Sequence, residues 1–349
     1  MPYDIDFSDP RLPNRANPEL DPARSRNLTW ARSHGLVHDS DRAAAAYLSM
    51  KLAEIMGVLH PDPTGEDFDL VIAAATWLIV LDDQFDGPLG QEPQIARAVC
   101  EDLIASTYRP PGTPAPPNPR YGTAWTDIMD RTAQAMPSSW YRRAMIPWRN
   151  FFRHYLYETL HRSAGIVPSV DTLLRIRRPG IAAPVGFMLI ERGERFETPE
   201  CVLYSPHIQA MEQLCIEVII CVNDINSLEV EDGRDDVHNL VVVLQHEQGC
   251  TRQAAIQTLR AWVPERYEQF LQLQDALPPL WDALHLTKDE RNRAEQYIEG
   301  LRRYLGSTQH WYTDNQRFEV GGTTSAALYS NPTWLMDAYQ KNPQTAADS

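Results

Sequence analysis

Two apolar helical stretches each run directly into a cluster of oxygen-bearing side chains, and that coupling limits what the chain can become. Residues 70–81 carry no charge and lead into Asp82-Asp83-Gln84-Phe85-Asp86. Ile208, Met211, Leu214, Cys215, Val218, Ile219 and Val222, spaced by threes and fours, lead into Asn223-Asp224-Ile225-Asn226-Ser227-Leu228-Glu229-Val230-Glu231. Carboxylates at a helix C-terminus oppose the macrodipole at a cost of up to about 1 kcal/mol, a local conflict that points to a ligand. A hard divalent cation resolves it, because Mg²⁺ takes several oxygen ligands and shares them with phosphate. Two such clusters facing one cavity would hold the diphosphate of a substrate whose other end is hydrocarbon.

Helix geometry sorts the residues within each cluster. Positions i, i+4 and i+8 drift by about 40° per step, so Asn223, Ser227 and Glu231 form one stripe of amide, hydroxyl and carboxylate oxygen. The stripe continues the face of Cys215 and Ile219 and suits one Mg²⁺ that keeps sites for water or phosphate. Asp224 and Glu229 fall off that line, as surface groups or supports of the metal ligands. Asp82 and Asp86 share a face while Asp83 is turned by about 100°, which gives Asp82 and Asp86 the metal and Asp83 a supporting hydrogen bond or ion pair. The cationic half of a diphosphate site falls to Arg177, just before Pro179-Gly180, and Arg317, shortly after Trp311. The competing account is ordinary: a solvated acidic helix end and solvated surface arginines.

Composition bounds the partners. A formal net charge of −15 argues against nucleic acid, since no basic run exceeds the Arg175 to Arg178 segment. An anionic ligand would then need metal ions between it and the protein. The five cysteines show no metal-binding CxxC and no paired spacing, which suggests a reducing, cytoplasmic setting. The acidic, polar N-terminus does not read as a signal peptide. The longest uncharged apolar run, 12 residues, is short of the roughly 20 that cross a bilayer.

The patterning predicts one all-α domain over residues 26–340, with an irregular arm at 1–25 and a flexible tail at 341–349. Helices are expected at 42–59, 66–85, 125–166, 171–178, 184–191, 207–231, 236–245, 251–273 and 288–305. Residues 109–120 hold six prolines and can only be a surface loop. Pro179-Gly180 is expected to break the helix that precedes it. Period-two alternation is nearly absent, so no sheet is expected.

With these residues in hand, the chain resembles the bacterial class I terpene synthases over most of its length. The segments Trp30-Ala31-Arg32 and His34-Gly35-Leu36-Val37, the aspartate-rich Asp82 to Asp86, and Asn223, Ser227 and Glu231 at the family's spacing carry the likeness. So do Val237-His238-Asn239-Leu240-Val241, Arg177 at the place of the family's pyrophosphate-sensing arginine, and Arg317 at the place of its C-terminal Arg-Tyr pair. Three positions depart from the family pattern. Val230 stands where Lys is usual, Phe318 replaces the tyrosine, and Pro179-Gly180-Ile181 lacks the usual Thr and effector Gly, leaving Gly180 or Ile181 as the effector.

The resemblance implies a helical barrel around an apolar cavity, with three Mg²⁺ bridging the diphosphate to Asp82, Asp86, Asn223, Ser227 and Glu231. It further implies that Arg177 and Arg317 bind the diphosphate and that Asp83 and Asp224 support the ligands. Phe85, Trp77, Phe151, Phe152, Phe187 and Trp311 are candidates for the cavity wall, with plain core packing as the competing account, especially for Trp77, Phe151 and Phe152. The expected reaction is ionisation and cyclisation of farnesyl diphosphate to a sesquiterpene. A diterpene synthase using geranylgeranyl diphosphate is the alternative, and a non-catalytic metal-binding scaffold the competitor from another class. The likeness also brings a homodimer into view, a state the sequence itself leaves open.

Overall fold

The structure, a computed structural model, describes residues 11–13, 15–232, 237–313, 328–329 and 331–340. Helices in chain order are α1 (Leu20–Ser33), α2 (Asp41–Ser49), α3 (Leu52–Leu59), α4 (Gly65–Phe85), α5 (Pro93–Ser106), α6 (Thr123–Ala133), α7 (Ser138–Ala164) and α8 (Val170–Gly180). They continue as α9 (Ala183–Glu194), α10 (Glu200–Leu203), α11 (Pro206–Asp232), α12 (Leu240–Gln248), α13 (Arg252–Asp275), α14 (Leu277–Ala283), α15 (Lys288–Thr313) and α16 (Trp334–Gln340). No strand occurs among the described residues, and none of their helices is long and apolar enough to cross a membrane.

The two helices that carry the oxygen clusters are core elements. Helix α4 is buried on nearly every side, from Phe68 through Trp77 to Phe85. Trp77 stacks on Trp125 of α6 at 6.4 Å, and Trp125 meets Trp148 and Phe152 of α7 edge-on, so a block of aromatic rings locks α4, α6 and α7 together. Helix α11 packs on α13 and α15 along Ile208, Met211, Cys215, Val218 and Val222. Helix α9 touches α4, α7, α8, α11 and α15. A Cβ on Gly186 would lie 2.3 Å from the Tyr304 hydroxyl, so the close approach of α9 to α15 requires glycine there.

Several boundaries differ from expectation. The N-terminal arm ends early, for α1 starts at Leu20 rather than beyond residue 25. Asn17 ties its entry down by donating to the carbonyls of His60 and Pro63 while accepting from Glu19 N–H. The Ala-rich segment 42–59 is two helices, because Met50 closes α2 and Lys51 turns left-handed at φ 50°. The span 125–166 likewise splits at residues 134–137. Pro179 does not break α8. It sits in the last turn, Ile181 N–H still reaches Arg177 C=O at 2.8 Å, and the turn comes at Ala182 (φ 62°), after which Pro184 opens α9. Helix α12 begins at Leu240, where Asn239 caps Val241 N–H, rather than at 236. The 109–120 segment is a loop, as its prolines require.

Candidate active site

The α4 cluster closes its helix. Phe85, 1% exposed, lies flat on Tyr155 of α7 with ring centroids 4.1 Å apart, a stack worth about 1 kcal/mol beyond its burial. That stack sets the Tyr155 hydroxyl 3.3 Å from Asp82 Oδ1. Burial raises the Tyr155 pKa well above a free phenol, and Asp82, Glu158 and Asp86 push it the same way, so it remains a donor. Asp83 points elsewhere: its Oδ2 accepts from Tyr329 at 2.7 Å, which pins the C-terminal segment onto this helix end. Leu335 N–H adds a bond to Gln84 Oε1. Asp82 and Asp83 thus have different partners, Tyr155 on α7 and Tyr329 of the C-terminal segment.

The α11 cluster is braced from two sides. Arg177 of α8 donates to Asn223 Oδ1 at 2.7 Å and to Asp224 Oδ1. Asp224 is fully buried, and its other oxygen accepts from Leu240 N–H, the first amide of α12. Its position off the ligand stripe thus makes it a strut between α8, α11 and α12, not a surface group. Glu229, by contrast, is at the surface beside Arg252. Asn239 donates to the Asp224 carbonyl and to Glu231 Oε2, both at 2.7 Å, fixing the Glu231 carboxylate, and the Ser227 hydroxyl donates to Asn223 C=O at 2.9 Å. Asn223, Ser227 and Glu231 keep the four-residue stagger expected of one helix face.

One turn of α7 joins the clusters. Three residues past Tyr155, Glu158 is buried within the reach of His154, His238, Arg162 and Arg177. Burial pushes its carboxyl up, but the electrostatic pull of this basic surrounding, with Arg162 and Arg177 in it, outweighs burial and holds the pKa below the usual range. Burial opposes the Arg177 charge as well. Asp224, Glu231 and Glu158 more than reverse that, so the guanidinium binds its proton more tightly than a free arginine. His238 of the segment after α11 stacks on His161 of α7, ring nitrogens 3.4 Å apart. Asp82 is bonded to Tyr155 and Asn223 to Arg177, and Glu158 lies within electrostatic range of both Tyr155 and Arg177.

The remaining candidates scatter. Trp77 and Phe152 lie inside the aromatic block, and Phe151 bridges Trp148 and Tyr155. Phe187 meets Tyr304 edge-on, and Trp311 donates to Met50 C=O at 2.8 Å. Gly180 serves contact: a Cβ there would come within 2.6 Å of the His154 ring, so glycine lets α8 lie against α7. Arg317 and Phe318 fall outside the described residues. Tyr155, Glu158 and Tyr329 were not foreseen from sequence; the Tyr-x-x-Glu-x-x-x-Arg spacing on α7 (Tyr155, Glu158, Arg162) was the legible sign of the first two.

The donor set suits a hard cation. It is oxygen throughout, from carboxylates on α4 and from amide, hydroxyl and carboxylate on α11. Among the described residues no three His, Cys, Asp or Glu groups close on one point.

Comparison with known proteins agrees with this geometry. A family profile described as terpene synthase family 2, C-terminal metal binding, matches residues 73–269. Pentalenene synthase of Streptomyces avermitilis is 34% identical over 94% of this chain and 96% of its own. A (−)-β-caryophyllene synthase of Saccharothrix espanaensis, named as cyclising (2E,6E)-farnesyl diphosphate, is 31% identical over 93% and 91%. The crystal structure of germacradien-4-ol synthase from Streptomyces citricolor superposes with a TM-score of 0.78 at 27% identity, covering 89% of this chain and 98% of that one. With both oxygen clusters inside the matched region and the same all-helical architecture, the chain belongs to the terpene synthase family.

Proposed function

We propose that this protein ionises and cyclises farnesyl diphosphate in a Mg²⁺-dependent reaction, releasing diphosphate and a cyclic sesquiterpene or sesquiterpene alcohol. The observation that supports the reading is that Asp82 bonds Tyr155, Asn223 bonds Arg177, and Glu158, three residues past Tyr155, lies within electrostatic range of both Tyr155 and Arg177. Asp82 and Asp86 would hold Mg²⁺ from α4, and Asn223, Ser227 and Glu231 from α11, three ions in all. Bound there, Mg²⁺ supplies charge neutralisation for the departing diphosphate.

The chain's own groups do the rest. Arg177 presents a fixed guanidinium whose hydrogen bonds to diphosphate oxygens strengthen as negative charge builds there, favouring the transition state over the bound substrate. Arg317 adds a second such donor. Tyr155 and Asn239 hold Asp82 and Glu231 in place, so the ligands need not reorganise as the bond breaks. Bond cleavage leaves an allylic cation, which must be kept from water while the chain folds and closes. Of the six candidates, Phe85 is the one that lies within the α4 cluster, where it is stacked on Tyr155. The five cysteines are unpaired, which fits work in a reducing cytoplasm.

Incubation of the purified protein with Mg²⁺ and, separately, geranyl, farnesyl and geranylgeranyl diphosphate tests this, with gas chromatography of hexane extracts and a diphosphate-release assay. A C15 product from farnesyl diphosphate is expected. Turnover of geranylgeranyl diphosphate alone would make it a diterpene synthase, and no release from any of the three would refute the reading.

A further inference from the structure

No stretch of the chain is longer without a carboxylate than residues 131–157, which spans most of α7. On a protein of net charge −15 this leaves one helix basic. Its outward face carries Arg142, Ile146, Arg149, Arg153, Tyr157 and Leu160 at three- and four-residue spacing. Arg149 lies over the Tyr108 ring and Arg153 donates to Asn150. Among the described residues, none of Arg142, Arg149 and Arg153 meets a carboxylate, whereas the nearby Arg143, Arg175 and Arg178 each do.

Beside this face a cleft of about 530 Å³ opens between α7, the α8–α9 turn and α10–α11. Ile146, Tyr157 and Tyr204 at its mouth are 44%, 52% and 55% exposed, while Phe187, Met188 and Ile216 form a buried apolar floor. The volume falls within the range of small-molecule sites, roughly 300–1,000 Å³. Two carboxyls line it, and both are answered: Glu191 by Arg143 at 2.8 Å, Glu212 by the Tyr297 hydroxyl. Neither the α4 nor the α11 oxygen stripe borders it. Ile176, Arg178 and Pro179 form one wall, on the same turn that sends Arg177 toward Asn223.

We propose that this cleft binds a single-chain amphiphile with an anionic head, either a prenyl phosphate or a fatty acid. The chain lies over Phe187 and Met188, and the head pairs with Arg153 at the mouth. A second copy related by a two-fold axis through this face is the poorer occupant, because it would bring the Arg142, Arg149 and Arg153 sets of the two copies together.

The test uses the full-length protein with Mg²⁺ and excess inorganic diphosphate, titrated with the fluorescent fatty acid 11-(dansylamino)undecanoic acid. Saturable one-to-one binding is expected, displaced by laurate, by farnesyl monophosphate, or by both. Displacement by one alone identifies the source of the ligand; displacement by both shows that head and chain suffice. Arg153→Glu and Ile146→Asp, both at exposed positions, should each weaken binding by about tenfold or more, whereas Asn223→Ala should leave it unchanged. Absence of saturable binding, binding indifferent to both mouth variants, or loss of binding in Asn223→Ala would overturn the proposal. The last outcome would place the probe in the diphosphate site, so this test and that of the proposed reaction fail separately.

Discussion

At the scale of single residues, adjacent side chains in each cluster divide the work because a helix turns about 100° per residue. Asp82 turns to Tyr155 and Asp83 to Tyr329; Asn223 stands at the head of the oxygen stripe and Asp224 behind it as a buried strut. Removing a proposed ligand should therefore cost rate and spare the fold. Asn223→Ala or Glu231→Ala is expected to lower turnover roughly 10³-fold, several kcal/mol of lost charge stabilisation, with an unchanged circular dichroism spectrum. Near-normal turnover in either variant would refute the ligand assignment. Arg177→Ala should reduce kcat by about 10²- to 10³-fold, with a smaller change in KM, because its donors matter most as charge develops. A change confined to KM would make Arg177 a simple binding group. Asp224→Asn, in contrast, should destabilise the protein, since it strips charge from a buried partner of Arg177.

Helices and their junctions decide whether these residues meet. The α8–α9 junction shows how: Pro179 looks like a breaker in sequence, yet α8 runs to Gly180 because the amide that proline lacks is lost only in the final turn. Gly180 then lets α8 press on α7 at His154. Replacing it with alanine pits two effects against each other. Helix propensity would gain about 1 kcal/mol, whereas a Cβ 2.6 Å from a ring confined between Phe151 and Tyr155 should cost about 1–3 kcal/mol. Strain wins on this account, so Gly180→Ala should lower Tm and also slow turnover as Arg177 shifts. A raised Tm in calorimetry would show that α8 gives way freely.

For the molecule as a whole, buried neutral histidines tie stability to pH. Burial, with Arg303 adding to it, lowers His60 to about 3. Burial lowers His154 to about 4, despite Glu158 and the Phe151 carbonyl pulling upward. Both folded-state values lie below the unfolded value of 6.5, so the unfolded chain takes up protons first as pH falls. The stability contribution is complete above pH 6.5 and shrinks below it, by about 2 kcal/mol per histidine at pH 5. Thermal melts between pH 7.5 and 5 should show Tm falling, and His60→Gln should flatten part of the slope; a pH-independent Tm would contradict this. The all-α class, the apolar helices α4 and α11, the proline-rich loop and the oxygen stripe on α11 were legible in the sequence, because helix periodicity is a local property that the order of residues writes directly. Helix ends at Lys51, Ala182 and Asn239 were not, since each is set by what the neighbouring helix permits. Likewise Tyr155, Glu158 and Tyr329 acquire their partners only when α7 and the C-terminal segment are brought against α4 and α8. Residue order alone determined which faces carry oxygen and which carry hydrocarbon. Tertiary packing decided which of those faces meet, because burial and charge pairing act between segments that chain distance keeps apart.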